Sequence, residues 1–235
     1  NVSNALSLST GNDKSQSYIS VATTNATGIM PNNDYDRYNF SFRNTTNFLN
    51  NKFILDTSAN YIIQNDKNMV SQGQYFNPLT SLYLFPRGED FSDVAVYERY
   101  DDLSGVNTQY WPYGDLGGVS SQNPYWIMNR MNRENDRRRY KLAASLQYNI
   151  IEGLNVQGRV SIDNTESKYT EKFHAGTVGN FAGPKGRYKE ENRLDRQVYA
   201  DVLANFNKTF NEFNVTANLG ASIKDLRMEL PSLHG

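Results

Sequence analysis

The fold is decided by QVYADVLANF (residues 197–206) and FNVTANLGASIK (residues 213–224). In the first, Val198, Ala200, Val202, Ala204 and Phe206 fall at every second position, with Gln197, Tyr199, Asp201 and Asn205 between them and Leu203 the exception. In the second, Phe213, Val215, Ala217, Leu219, Ala221 and Ile223 alternate with Asn214, Thr216, Asn218, Gly220, Ser222 and Lys224. Successive side chains of a β-strand point to opposite faces, so each stretch is a ribbon with one apolar and one polar side. The turn around Asn211 joins them as a hairpin.

The same pattern recurs upstream. Strands are predicted over about residues 2–10, 16–25, 37–49, 52–65, 138–150 and 154–166, which makes eight with the two above. Tyr38, Phe40, Phe42 and Phe48 are in phase in the third, although Asn44 and Thr46 interrupt its apolar side. Leu154, Val156, Val160 and Ile162 are in phase in the sixth. Asn50-Asn51 and Glu152-Gly153 are tight turn signals, since Asn and Gly tolerate positive φ. The predicted connections alternate between short (11–15, 50–52, 151–153, 209–212) and long (26–36, 67–136, 167–192).

Composition sets the bounds. The chain has 235 residues, a net charge of −1 and no Cys. Disulfide and thiol chemistry are thereby excluded, and there is no bulk basic charge to bind nucleic acid. Mean hydropathy is −0.69. No apolar run approaches the ~18 residues of a membrane-spanning helix. Low hydropathy is compatible with a membrane β-barrel, because only alternate strand residues meet lipid. The short–long order of connections fits such a barrel, with short turns at one end and long loops at the other. A soluble β-sandwich that binds carbohydrate, and a small structural barrel, are the alternatives from other classes. The strand-like opening Asn1-Val2-Ser3-Asn4 and the ending just beyond an eighth strand lead us to expect a piece of something longer.

Several segments, taken in order, carry a family resemblance. They are Gly28 to Asn39 (GIMPNNDYDRYN), Asn77 to Tyr83 (NPLTSLY) with Phe85-Pro86-Arg87, and Asn123-Pro124-Tyr125-Trp126. Arg137-Arg138-Arg139-Tyr140 and Gly153 to Arg159 (GLNVQGR) add to it. Together they resemble the barrel of the SusC/RagA-type TonB-dependent outer-membrane transporters of Bacteroidetes. The resemblance implies an antiparallel transmembrane barrel of about 22 strands, of which about eight are present here. Residues 1–235 would then be one barrel domain without its plug or remaining strands, with extracellular loops 67–136 and 167–192. It also implies import of glycans or oligopeptides, powered through TonB by the missing N-terminal part. A SusD-like surface lipoprotein as partner, and surroundings of outer-membrane lipid and lipopolysaccharide, are implied as well. No cofactor is expected.

Candidate sites follow from residue types. Tyr110, Trp111, Tyr113, Tyr125 and Trp126 lie in the longest loop, where they either bind solute or partner or form the loop's own core. Trp111 and Tyr113 are preferred as contacts, because Pro112 and Gly114 place them on a turn. Arg43, Asp56, Arg159, Asp163 and Asp201 fall on polar strand faces and would line the lumen. Arg130, Arg133, Arg137, Arg138, Arg139 and Lys141 form a basic run that could meet lipopolysaccharide phosphates or pair with neighbouring acids. With only His174 and His234, and with no calcium-loop pattern or triad, no catalytic or metal residue is expected.

Overall fold

The computed structural model describes residues 1–73, 75–113 and 122–230, and the backbone of 232–234. The chain is all-β and antiparallel. One sheet holds β1 (Val2–Gly11), β2 (Ser15–Thr27), β3 (Asp34–Phe48), β4 (Phe53–Lys67), β7 (Met131–Ile151), β8 (Leu154–Phe173), β9 (Arg187–Phe210) and β10 (Phe213–Glu229). Each strand pairs with the next in this order, and the sheet does not close on itself. A short β11 (Ser232–His234) continues past β10 along β9. β5 (Glu98–Asp101) and β6 (Val106–Gln109) form a separate hairpin within the longest connection.

Short turns hold one end of the sheet. Leu49, Asn50 and Asn51 all adopt positive φ between β3 and β4, and Asn211 does so between β9 and β10. Asn12 accepts hydrogen bonds from the amides of Lys14 and Ser15 and closes the first hairpin. Gly153 sits at φ +82 with Asn207 O only 2.2 Å from where a Cβ would lie. Its carbonyl accepts the Asn207 amide at 2.7 Å, so the β7–β8 turn is pressed against β9. Residues 28–33, 68–130 and 174–186 connect strands at the other end.

The strands reach further toward this second end than their alternation predicts. β7 begins at Met131, β8 runs to Phe173, and β9 begins at Arg187. Sequences such as Asn132-Arg133-Glu134-Asn135-Asp136-Arg137 are polar at both parities, which means that both faces of the sheet are wet there. Period-two reading has nothing to detect in such a segment.

Register settles the two faces. Ala217 lies opposite Phe206, Ala221 opposite Val202, Val160 opposite both Ala200 and Ala144, and Ala59 opposite Leu142. Apolar side chains thus continue from strand to strand as one band, flanked by aromatics. Phe53 stacks on Tyr148 at 4.6 Å on the short-turn side, and Tyr61 lies opposite Tyr140 on the long-loop side. No second layer covers this band among the described residues: Leu219 is 79% exposed and Val202 56%. Asn44 and Thr46, which interrupt the pattern in β3, bond to each other and to Ser15 and Ser17 of β2, so their polar atoms are satisfied within the face.

The band crosses the strands obliquely. In β2 it centres near Ser20, and in β10 near Asn218. Followed along the register, these centres are offset by about eight residues over six strand steps. At ~3.3 Å per residue and ~4.8 Å per strand this is a slope of about 40°.

Gly153→Ala is expected to destabilise the sheet by about 1–3 kcal/mol, because Ala carries a Cβ into the Asn207 carbonyl at positive φ. Glu152→Ala should be close to silent. Denaturation midpoints of the two variants check this.

Candidate functional site

The long connections fold into one unit at one end of the sheet. Two helices of seven residues start in the same way. α1 (Pro78–Leu84) is capped by Asn77, whose side chain accepts the Leu79 amide, and α2 (Pro124–Arg130) by Asn123, which accepts the Tyr125 amide. In each, Pro occupies the first helical position, where its missing N–H costs nothing. Between them lie a 3-10 turn (Phe91–Ala95) capped by Asp90 and the β5–β6 hairpin.

Buried amides hold the unit together. Asn123 is fully buried and donates to the carbonyls of Val94 (2.9 Å) and Tyr110 (3.0 Å), while its backbone N–H donates to Gln109 Oε1 (2.7 Å). Gln122 donates to the Tyr75 carbonyl and its amide N–H to Ser81 Oγ. Asn68 Nδ2 donates to the Met128 carbonyl and Asn132 Oδ1, and its Oδ1 accepts the Arg133 amide. Asn32 reaches Asn129 from the first connection, so all the long connections meet around the end of α2.

The core of the unit is Trp126, Ile127, Met131, Phe173 and Ala182, with Phe76, Tyr97 and Phe181 against it. Trp126 Nε1 donates to Thr177 Oγ1 at 3.2 Å. Gly176, at φ +84, lets the 174–186 connection approach β6 so closely that a Cβ would lie 2.3 Å from Asn107 O. Glu98 receives a two-bond fork from Arg130 at 2.8 and 2.9 Å. Arg133 lies mostly buried, donating to Ser71 Oγ and to the carbonyls of Met69 and Phe76, with its guanidinium over the Phe76 ring. It ties the start of the longest connection down onto β7.

The five loop aromatics separate into three environments. Trp126 is 1% exposed and belongs to the loop's own core, one of the two placements open to it from the sequence. Trp111, Tyr113 and Tyr125 are half-buried members of a continuous file. Trp111 meets Tyr113 edge-on at 5.4 Å, Tyr113 meets Phe85, Phe85 meets Phe91, and Phe91 and Tyr97 flank Tyr125. Tyr110 lies beneath the Arg99 guanidinium at 3.4 Å. Gly114, expected to shape the turn, lies outside the described residues.

The residues expected in the lumen share the polar face. Arg43 pairs with Asp56 (2.7 Å), Arg159 with Asp201 (2.9 Å) and Asp163 with Arg139 (2.6 Å). The basic run is divided by the strand period. Arg133, Arg137, Arg139 and Lys141 project to this polar face, and only Arg138 to the other. A single lipopolysaccharide patch is therefore not what this run forms. Arg139, Glu98, Arg133, Asn68 and Asn123 carry roles that the sequence did not reveal. For Asn123, the Asn-Pro cap signal was available. Among the described residues no group of His or acidic side chains could hold a metal ion.

No protein-family model and no curated protein matches the chain. Solved structures do. The chain aligns with the RagAB peptide transporter at a TM-score of 0.69 and 14% identity, over 99% of this chain and 25% of that one. It also aligns with the RagAB peptide importer in its 'closed-closed' state (TM-score 0.63, 13% identity, 99% and 28%). The 'open-open' state gives a TM-score of 0.64 at 14% identity, over 98% and 28%. The chain thus spans about a quarter of the length of these proteins and shares the fold of their matched part.

Two outcomes test the loop unit. Asn123→Ala removes a cap and leaves two buried carbonyls unpartnered. It should cost about 2–4 kcal/mol, seen as faster hydrogen exchange in residues 75–113 with the sheet amides unchanged. Acid should loosen the unit as well. The Arg130 fork holds the Glu98 carboxyl below its usual range, and burial, then the Arg130 charge, lowers the His174 imidazole. Both groups bind protons more readily when released. The stability they contribute is therefore present above the ordinary His value, and falls as pH drops from about 7 to about 4. Trp126 emission in a Trp111→Phe background follows this.

Proposed function

We propose that the chain is part of the wall of an outer-membrane β-barrel that imports nutrients, of the SusC-like, TonB-dependent class. The oblique apolar band carries this reading. A flat sandwich sheet needs its apolar face covered, whereas the band here is bare and slopes at about the 35–45° by which barrel strands tilt. Its aromatic margins correspond to the two interfacial girdles of such barrels. The backbone groups along the free edges of β1 and β10 would pair with further strands. On this reading the localisation is the bacterial outer membrane, and the polar face lines the lumen.

The likeness to structures named as a peptide transporter favours oligopeptides as solute. The half-buried aromatic file through Trp111, Tyr113 and Tyr125 also suits glycan stacking, so glycans are the second candidate. The loop unit is the surface on which a SusD-like lipoprotein would dock, with TonB supplying the energy from the far side. The proposed role is binding and transport, not catalysis.

Two measurements test this. Val202→Arg, at the exposed middle of the band, should cost about 2–4 kcal/mol of stability and lower the yield in outer-membrane fractions, while Ser161→Arg on the polar face should cost far less. Equal tolerance would contradict the assignment of faces. Uptake of labelled oligopeptides by cells carrying the intact gene product, abolished by dissipating the proton-motive force, is the expected functional result. Recovery of the protein in aqueous buffer without detergent would refute the membrane reading.

A further inference from the structure

Charge is sorted unevenly over the polar face. The strand period puts seven carboxylates there, and six are held by a cation. Asp56, Asp163 and Asp201 are paired as described above, Glu171 is paired with Arg187, Glu191 with Lys189, and Asp195 with Arg193. The seventh, Asp66, accepts bonds from the amides of Asn135 and Gln64. Among the described residues, Arg37, Arg137, Lys141 and Lys224 on the same face have no ion pair, and Arg37, Arg137 and Lys141 are exposed. Of these four, Arg137 donates to Ser167 Oγ at 3.4 Å.

Three of these cations stand close together. Arg37 and Arg137 flank Gln64 on one register line, two strands or about 10 Å apart. Lys141 lies four residues along β7 from Arg137, about 13 Å away on the same face. The excess is a matter of placement, since the chain as a whole has a net charge of −1. Several uncompensated acids, Asp34, Asp36 and Asp136 among them, lie on the opposite parity.

We propose, building on the import reading, that Arg37, Arg137 and Lys141 make the polar face selective for extended oligopeptides rich in carboxylates. An extended peptide repeats its side chains on one side at roughly 7 Å, so carboxylates four residues apart, about 13 Å, match the separation of Arg137 and Lys141, and Arg37 stands two strands to the side. Exposed cations facing a confined aqueous space raise the local concentration of anions and act without a closed pocket.

The test compares two hexapeptides, one alternating Glu with Ala and one alternating Gln with Ala, in outer-membrane preparations of the intact gene product. The Glu peptide should bind and enter in preference. The triple variant Arg37→Gln, Arg137→Gln, Lys141→Gln should weaken the Glu peptide by about tenfold and leave the Gln peptide unchanged. Arg137→Lys should retain the preference, and salt near 1 M, where the Debye length is about 3 Å, should erase it. Since the three side chains are exposed and none is held in a salt bridge, although Lys141 lies opposite Asp163, the variant should fold, and its yield in the membrane fraction verifies this. Equal handling of both peptides by the unaltered protein, or equal loss of both in the variant, overturns the charge selectivity and leaves import standing. Failure of both peptides to enter overturns import and the selectivity with it. Preference for an oligouronate over the Glu peptide overturns the assignment to peptides.

Discussion

Everything in this chain depends on the register of the antiparallel ladder. A shift of one residue between two strands would carry every side chain of one strand to the opposite face. The continuous apolar band, the ion pairs of the polar face and the gathering of long connections at one end would all be lost together. The register is held locally. Tight turns fix it at one end of each hairpin, and the Phe53–Tyr148 stack fixes it across β4 and β7, whose connection is the longest in the chain.

The likeness to solved structures at 13–14% identity fits this view. A ladder of alternating faces constrains the class of residue at each position rather than its identity. Leu, Val, Ile, Ala and Phe all serve in the band, and Asn, Ser, Thr and charged residues all serve on the other side. Very different sequences can therefore meet the same requirement.

The same reasoning explains what could be read in advance. Eight strands, their order and their short turns were visible because one face is apolar and the other polar over about ten residues. Where both faces are wet, as in Asn132–Arg137 or Arg187–Arg193, the alternation vanishes and the strands continue unannounced. The helices of the longest connection are seven residues each, too short to show a period, although their Asn-Pro starts were legible. The carbonyl partners of Asn68 and Asn123 were opaque for another reason. A buried amide acquires its role from carbonyls that lie 13 to 60 residues away in sequence, and no local pattern encodes them. The basic run Arg137–Lys141 reads as one patch along the chain and becomes two surfaces once it is pleated.

The overhang of the longest strands sets the reach of the whole assembly. Beyond Ile162, β8 continues for eleven residues to Phe173, roughly 35 Å of extended chain. β7 and β9 flank it over the same rise. The loop unit is therefore carried, well clear of the apolar band, on a polar parapet that β2, β3 and β4 share to within three residues, since Thr27, Asp34 and Lys67 lie level with Glu134. A macromolecule lying flat against the surface would meet the sides of this parapet. In the proposed barrel, only one arriving from above would touch the helices and the aromatic file, so height alone would filter what reaches them.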